Sequence, residues 1–419
     1  MKKTMAAILI FLFLGGCMIP SGLHKDTVLM EKPLTYETRL TKNDASSPKD
    51  KSAHPTVMLK EGEETDTGES NAFTDEMKGR LLRQQQDNYC FSTLGITEQN
   101  LYVEILYALE NRIEEMELST KNPEEIDRIF QCVLLDHPEI FYADGYSFVK
   151  YTYADQVRRV TFTGNYIYTE RECEEKEKQI RAKVEELLSH IPKEASDYEK
   201  VKQVYEAVIQ HTEYSINAKD NQNICSVFLE NSSVCQGYAK AVQYLLRELS
   251  IPATLVVGTV ENGEGHAWNL VRIDHDYYHV DATWGDASYT VKKEEDSGEN
   301  LSGINYDYLC VTTEEIGRTH FIDHVVELPL CNSRQANYYV MEGAYFTEFN
   351  EEQLVSLIER YRDEGRERIT LKCASKEVYD SMSSILLEDQ KIFEYLDNGE
   401  SSVTYTDSKE QLILTFWLV

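Results

Sequence analysis

A thiol, an imidazole and a carboxylate stand in order along one stretch of this chain. Cys235 comes first, His266 about thirty residues later and Asp281 fifteen after that. That set supplies a nucleophile, a base to take its proton and an acidic residue to orient the base. Each has a plainer reading when taken alone. A buried Cys in a helix is usually a small core hydrophobe, and a lone His or Asp in a hairpin is usually structural or solvated. The three together, with the thiol at a helix start, point to chemistry.

The elements that would position them can be read nearby. In SSVCQGYAKAVQYLLREL (232–249), Tyr238, Val242, Leu245, Leu246 and Leu249 recur with the period of a one-sided buried helix. Ser232 and Ser233 are candidate N-caps, and Pro252 follows the end. Cys235 then sits in the first turn, where the helix dipole favours thiolate and open backbone N–H groups can donate to an oxyanion. ATLVVGTV (253–260) reads as a buried strand. HAWNLVRI and YHVDATW read as a hairpin turning at DHDY, so that His266 and Asp281 can lie side by side on paired strands. Around them, the amide of Gln236 could help form an oxyanion hole and the Tyr214 hydroxyl could donate to it. Trp268 and Trp284 could wall the site, and Asn269 and Asp286 could support it from behind.

CQGYA (235–239), GHAWN (265–269) and VDATWGD (280–286) resemble the three core motifs of the transglutaminase-like superfamily, whose papain-related fold carries a Cys-His-Asp triad. Position by position, Cys235 matches the nucleophile, His266 the base and Asp281 the third member. Residues 196–215, DHPEIFY (136–142) and YDYLCVTTEEIGRTH (306–320) are similar to segments around that core in bacterial members, so the likeness covers roughly residues 95–330. The resemblance implies an α+β fold: a helix-borne Cys packed on an antiparallel sheet, an accessory N-terminal α+β layer and a small C-terminal α+β unit. It implies acyl transfer or hydrolysis on peptide amide bonds through a Cys thioester, without a cofactor or metal. The substrate would be a protein or peptide, with cell-wall peptide among the candidates. The alternative is a surface binding module that keeps the fold without catalysis.

The N-terminus speaks to location. Lys2 and Lys3 precede a nine-residue apolar run, AAILIFLFL (6–14), too short to span a bilayer, and then Leu14-Gly15-Gly16-Cys17. This resembles the leader and lipobox of a bacterial lipoprotein, with Cys17 as the lipidated residue; an ordinary secretory signal is the other reading. Residues 1–17 are thus expected to be a leader and 18–80 a disordered tether, since 41–80 is polar and without apolar period. The head would be held at the extracytoplasmic face of the cell membrane by the lipid alone. With 42 Lys+Arg against 73 Asp+Glu, the formal charge of −31 argues against nucleic acid and against broad binding to anionic lipid.

The remaining seven cysteines are odd in number, with no C-x-x-C spacing, and no calcium-loop motif is present. Cys132 and Cys310 read as core. Cys225 and Cys235 flank a short loop and could pair, but the expectation is that both are free. The accessory region, 81–195, should hold helices over 102–116 and 123–135, a hairpin of 146–153 with 157–164, and a charged helix over 167–190. The catalytic core is expected over 196–330, with 292–303 as an acidic surface loop. Residues 331–419 then alternate strand and helix as a separate α+β unit.

Overall fold

The fold is taken from a computed structural model that describes residues 5–11, 73–153, 156–286, 288–291, 299–302, 304–366, 368–395 and 403–417. Cys17 and all but the last residues of the expected tether lie outside these. Of the described residues, a first compact unit takes 5–11, 73–270 and Ile322–Pro329. A second takes Val271–Phe321 and the chain from Leu330 onward, so the division falls inside the expected core rather than at residue 330.

The first unit begins with β1 (Met5–Phe11), followed by α1 (Asp75–Gln84), α2 (Tyr89–Thr93) and α3 (Ile96–Glu110). Helix α1 starts inside the stretch read as tether, because the Thr74 hydroxyl accepts from the Met77 amide and Asp75 and Glu76 favour a first turn. Helix α3 starts six residues earlier than expected. Its first residues, 96–100, lie outside the core, with Ile96 exposed and Thr97, Glu98, Gln99 and Asn100 polar, so no apolar period marks the start; burial begins at Leu101. Next come β2 (Met116–Glu117), α4 (Pro123–Asp136), β3 (Ala143–Tyr153) and β4 (Gln156–Tyr166). β3 and β4 form the expected hairpin, with Phe148 opposite Phe162, and β1 adds antiparallel to β3. Phe130 of α4 packs on Tyr146 and Phe162, giving this layer an aromatic core.

Two capped helices follow, α5 (Glu170–Leu188) and α6 (Asp197–His211). Thr169 with Glu172, and Ser196 with Glu199, form reciprocal capping boxes. Then come β5 (Glu213–Tyr214), α7 (Ile224–Phe228), β6 (Ser232–Ser233), α8 (Cys235–Glu248), β7 (Ala253–Val260) and the first six residues of β8 (Gly265–Ile273). β7 and β8 are hairpin neighbours closed by Gly263 at φ +80°. Buried Asp136 binds the layers of this unit together. Its two oxygens accept from the Cys90 and Phe91 amides at 3.0 and 2.9 Å and from the Tyr102 hydroxyl at 3.0 Å. From α8, Gln243 donates to the Leu135 carbonyl and Arg247 to the Asp136 carbonyl, both at 2.7 Å. The helix that opens with Cys235 is thereby tied to the accessory layer.

In the second unit the end of β8 turns through Asp274, at φ +54°, into β9 (Asp276–Val280) and then α9 (Ala282–Gly285). β10 (Ser288–Val291) pairs with β11 (Glu299–Ser302), so part of the expected acidic loop is strand; residues 292–298 and 303 lie outside the described set. After α10 (Thr313–Ile316) and β12 (His320–Ile322) come α11 (Tyr338–Met341), β13 (Tyr345–Phe346), α12 (Glu351–Asp363), β14 (Arg368–Cys373), α13 (Lys376–Ser383), β15 (Tyr405–Ser408) and β16 (Ile413–Trp417). The last four strands make a sheet in the order β13-β14-β16-β15, antiparallel but for β13 with β14. Its alternation of strand and helix is the α+β pattern expected there. The run NYYVMEGAYF reads as a strand but forms α11 over Tyr338–Met341 and strand only at Tyr345–Phe346, because Asn337 caps a turn through the Tyr339 amide and Gly343 reverses the chain at φ +65°.

Candidate functional site

Cys235 is the first residue of α8 and is 3 % exposed. Ser232 and Ser233 do not cap this helix, contrary to the sequence expectation. They form β6, which pairs in parallel with β5 so that Tyr214 stands opposite Ser233. The Ser233 hydroxyl is committed to Ser226 Oγ at 2.6 Å and to the Asn221 carbonyl at 3.1 Å. The cap position falls to Val234, which has no side chain to offer the first-turn amides. Gly237 is required by this packing: a Cβ there would lie 1.9 Å from Ser233 Oγ. Gln236 is buried, and its side-chain Oε1 meets no hydrogen-bond donor.

Tyr214 reaches the start of α8 through the β5–β6 pairing, and its ring lies 6.4 Å from that of Tyr238. His266 is the second residue of β8 and is 3 % exposed. Two residues on, along the same strand face, Trp268 stacks on it, with ring centroids 5.9 Å apart and planes 21° apart. Trp268 is wholly buried, so it backs the imidazole rather than facing solvent. Asn269 Nδ2 donates to the Ala239 carbonyl at 2.9 Å. That bond pins the His266 strand to α8 one helical turn from Cys235. Ala267 and Cys235 also share one apolar core with Leu255 and Val257.

In the second unit Asp281 is the N-cap of α9. Its Oδ1 accepts from the Thr283 amide at 2.9 Å and the Trp284 amide at 3.2 Å. Its Oδ2 meets His320 Nε2 at 3.0 Å, with both side chains at most 1 % exposed. His320 was not among the residues singled out from sequence. It lies 39 positions from Asp281, in a segment with no periodic pattern around it. Trp284 packs its ring 4.4 Å from the His320 ring and 4.9 Å from that of Tyr308. It therefore covers the imidazole of the Asp281–His320 pair. Asp286 closes α9 through its backbone amide.

The described residues hold seven free thiols: Cys90, Cys132, Cys173, Cys225, Cys310, Cys331 and Cys373, all buried. Burial pushes the Cys225 thiol up to about 12 and the Cys331 thiol up to about 11, so these are inert. The Cys225–Cys235 bridge is not formed. Cys235, expected free, is disulfide-bonded here, and the thiolate chemistry considered below is that of its reduced form. Among the described residues no helix is long and apolar enough to cross a membrane.

Residues 185–282 match the family model of the transglutaminase-like superfamily. Kyphoscoliosis peptidase of Mus musculus is 28% identical over 123 residues, which is 25% of this chain and 19% of the relative. The Homo sapiens kyphoscoliosis peptidase is 30% identical over 126 residues, 26% of this chain and 19% of the relative. The chain thus spans about a fifth of the length of the curated relatives it matches. Among solved structures, one described as a crystal structure of a TGase is similar at 19% identity and a TM-score of 0.26, covering 37% of this chain and 47% of that one.

Proposed function

From a chain that carries a transglutaminase-like superfamily domain over residues 185–282, we propose a cysteine-dependent acyl-transfer enzyme acting on peptide amides through a Cys235 thioester. The observation that carries this reading is the Asn269–Ala239 bond, which holds the His266 strand against the helix that opens with Cys235. In the proposed reaction His266 takes the thiol proton and the Cys235 thiolate attacks the amide carbon. The oxyanion collects the Gln236 backbone N–H, with the Tyr214 hydroxyl as a further donor. The departing amine takes the proton back from His266, leaving the acyl group on sulfur. Water or a second amine then attacks the thioester and restores the thiol. Asp281 would orient and charge-balance His266.

Hydrolysis is the favoured outcome, because water competes at any thioester that aromatic walls do not seal. Trp268 is spent as a backing to His266 rather than as a lid. The curated relatives are named peptidases, in the same direction. The deciding experiment incubates reduced protein with a glutamine-containing peptide and a labelled primary amine. Cleavage lost in Cys235→Ala supports the hydrolase. Amine incorporation lost in that variant makes it a cross-linking transferase. Neither product leaves the silent binding module.

The proposal extends to location: lipidation at Cys17 would hold the head at the extracytoplasmic face, within reach of wall-associated peptide. Membrane fractionation tests this, since Cys17→Ala should leave the membrane fraction or stay unprocessed. Equal membrane association of both forms would remove it.

A further inference from the structure

We propose that His320 is a positioning residue of this site, one that donates to the outer oxygen of Asp281 and so keeps that carboxylate ionised and fixed in plane for His266. The inference rests on the acyl-transfer reading above and adds a residue to it.

A carboxylate can take about four hydrogen bonds. Oδ1 of Asp281 already accepts from two amides, of Thr283 and Trp284, which is all that capping a four-residue helix needs. The His320 contact at 3.0 Å to Oδ2 is additional, and it costs the burial of a whole imidazole beside a carboxylate. The carboxylate itself fixes which ring nitrogen carries a proton. An ionised carboxylate oxygen only accepts, so the Nε2 that meets Oδ2 carries a proton, and Nδ1 lies 2.8 Å from the Thr319 hydroxyl. Trp284 at 4.4 Å and Tyr308 at 5.7 Å brace the ring. The phenol of Tyr308 accepts in turn from Gln411.

Another titratable group facing His320 is His279, on β9. Burial, and then the like charge of His320, push His279 down to about 3, so it stands neutral, with its Nε2 3.3 Å from the Thr313 hydroxyl. A hydrogen bond to the charged form lowers the pH at which a carboxyl protonates. Without His320, Asp281 would protonate at a higher pH and stop supporting an imidazolium at His266. The thiolate that this imidazolium stabilises would then form only at higher pH.

The test follows the rate of Cys235 alkylation by iodoacetamide against pH, on the reduced full chain. It compares the wild type with His320→Leu, His320→Gln and Thr319→Val. The wild-type acid limb should lie well below the usual thiol value of about 8.5. In His320→Leu it should move up by about a unit. His320→Gln, which keeps a donor, should restore most of the shift. Thr319→Val should move the limb the same way by less. If the wild-type limb lies at the ordinary thiol value, the acyl-transfer reading fails and this one with it. If the wild type is displaced but His320→Leu matches it, or Gln fails to rescue, the positioning role alone is overturned. Should the Leu variant not fold, as read by near-UV circular dichroism, Thr319→Val decides, and an unmoved limb there overturns the role.

Discussion

Two buried aspartates, Asp136 in the first unit and Asp281 in the second, are each 2 % exposed or less, and each gathers two successive or near-successive backbone amides. They differ in the last partner. Asp136 is completed by the Tyr102 hydroxyl, a fixed donor with nothing to titrate near neutrality, and Asp281 by an imidazole. Burial raises the Asp136 carboxyl above its ordinary range, and its amide bonds and nearby His137 only partly oppose this. Asp136 therefore ties elements together, whereas Asp281 sits in a site whose protonation can change. A buried, satisfied aspartate alone identifies neither role; its partners do.

The comparison is broken most directly by substituting both residues. Asp281→Asn keeps a cap for α9 but presents an amide where the account needs a carboxylate. Turnover should fall by about 10³- to 10⁴-fold with the fold intact. A loss under tenfold, measured as initial rates on the cleaved peptide, would make Asp281 no different in kind from Asp136.

The next effect lies in acid. His279 is held neutral down to about 3 against an ordinary 6.5, so between those values the unfolded chain binds a proton that the folded chain does not. Stability is then lost as pH falls from 6.5 toward 3. At about 1.36 kcal/mol per unit over 6.5 − 3 = 3.5 units, the loss is roughly 4–5 kcal/mol. Urea unfolding at pH 7 and pH 4 should show a shallower fall for His279→Gln than for the wild type. Equal falls would show that His279 carries no such linkage.

The smallest of these effects sharpens the other side. Asp136→Asn leaves two amides and a phenol with one poor acceptor, at a cost of about 2–3 kcal/mol in stability. The alkylation profile of Cys235 in the folded variant should not change. A changed profile would make Asp136 part of the chemistry.

Much of the first unit was legible in the sequence because its signals are local. The apolar period of α8 and the β-branched run of β7 each lie within one element. What escaped depends on distance along the chain. The start of α3 is polar and outside the core, so no apolar period marks it, and the Ser233 hydroxyl is drawn from capping by Asn221 and Ser226, which no local rule pairs with it. His320 could have been suspected only from a His closing the segment similar to the family's post-core region. Nothing near it in sequence says that it meets a carboxylate. The strand-like composition of NYYVMEGAYF is a different case: the Asn cap and the glycine turn that override it lie inside the run itself.

The central claim is that Cys235, once reduced, is a nucleophile activated by His266. It is tested most directly by the rate of its alkylation at pH 6, in the wild type and in His266→Ala, followed by peptide mapping. The account predicts rapid labelling of Cys235 in the wild type, with the seven buried thiols unlabelled, and a fall of at least about tenfold in the variant. Labelling of Cys235 at the slow rate of an ordinary thiol, unchanged by His266→Ala, would contradict it.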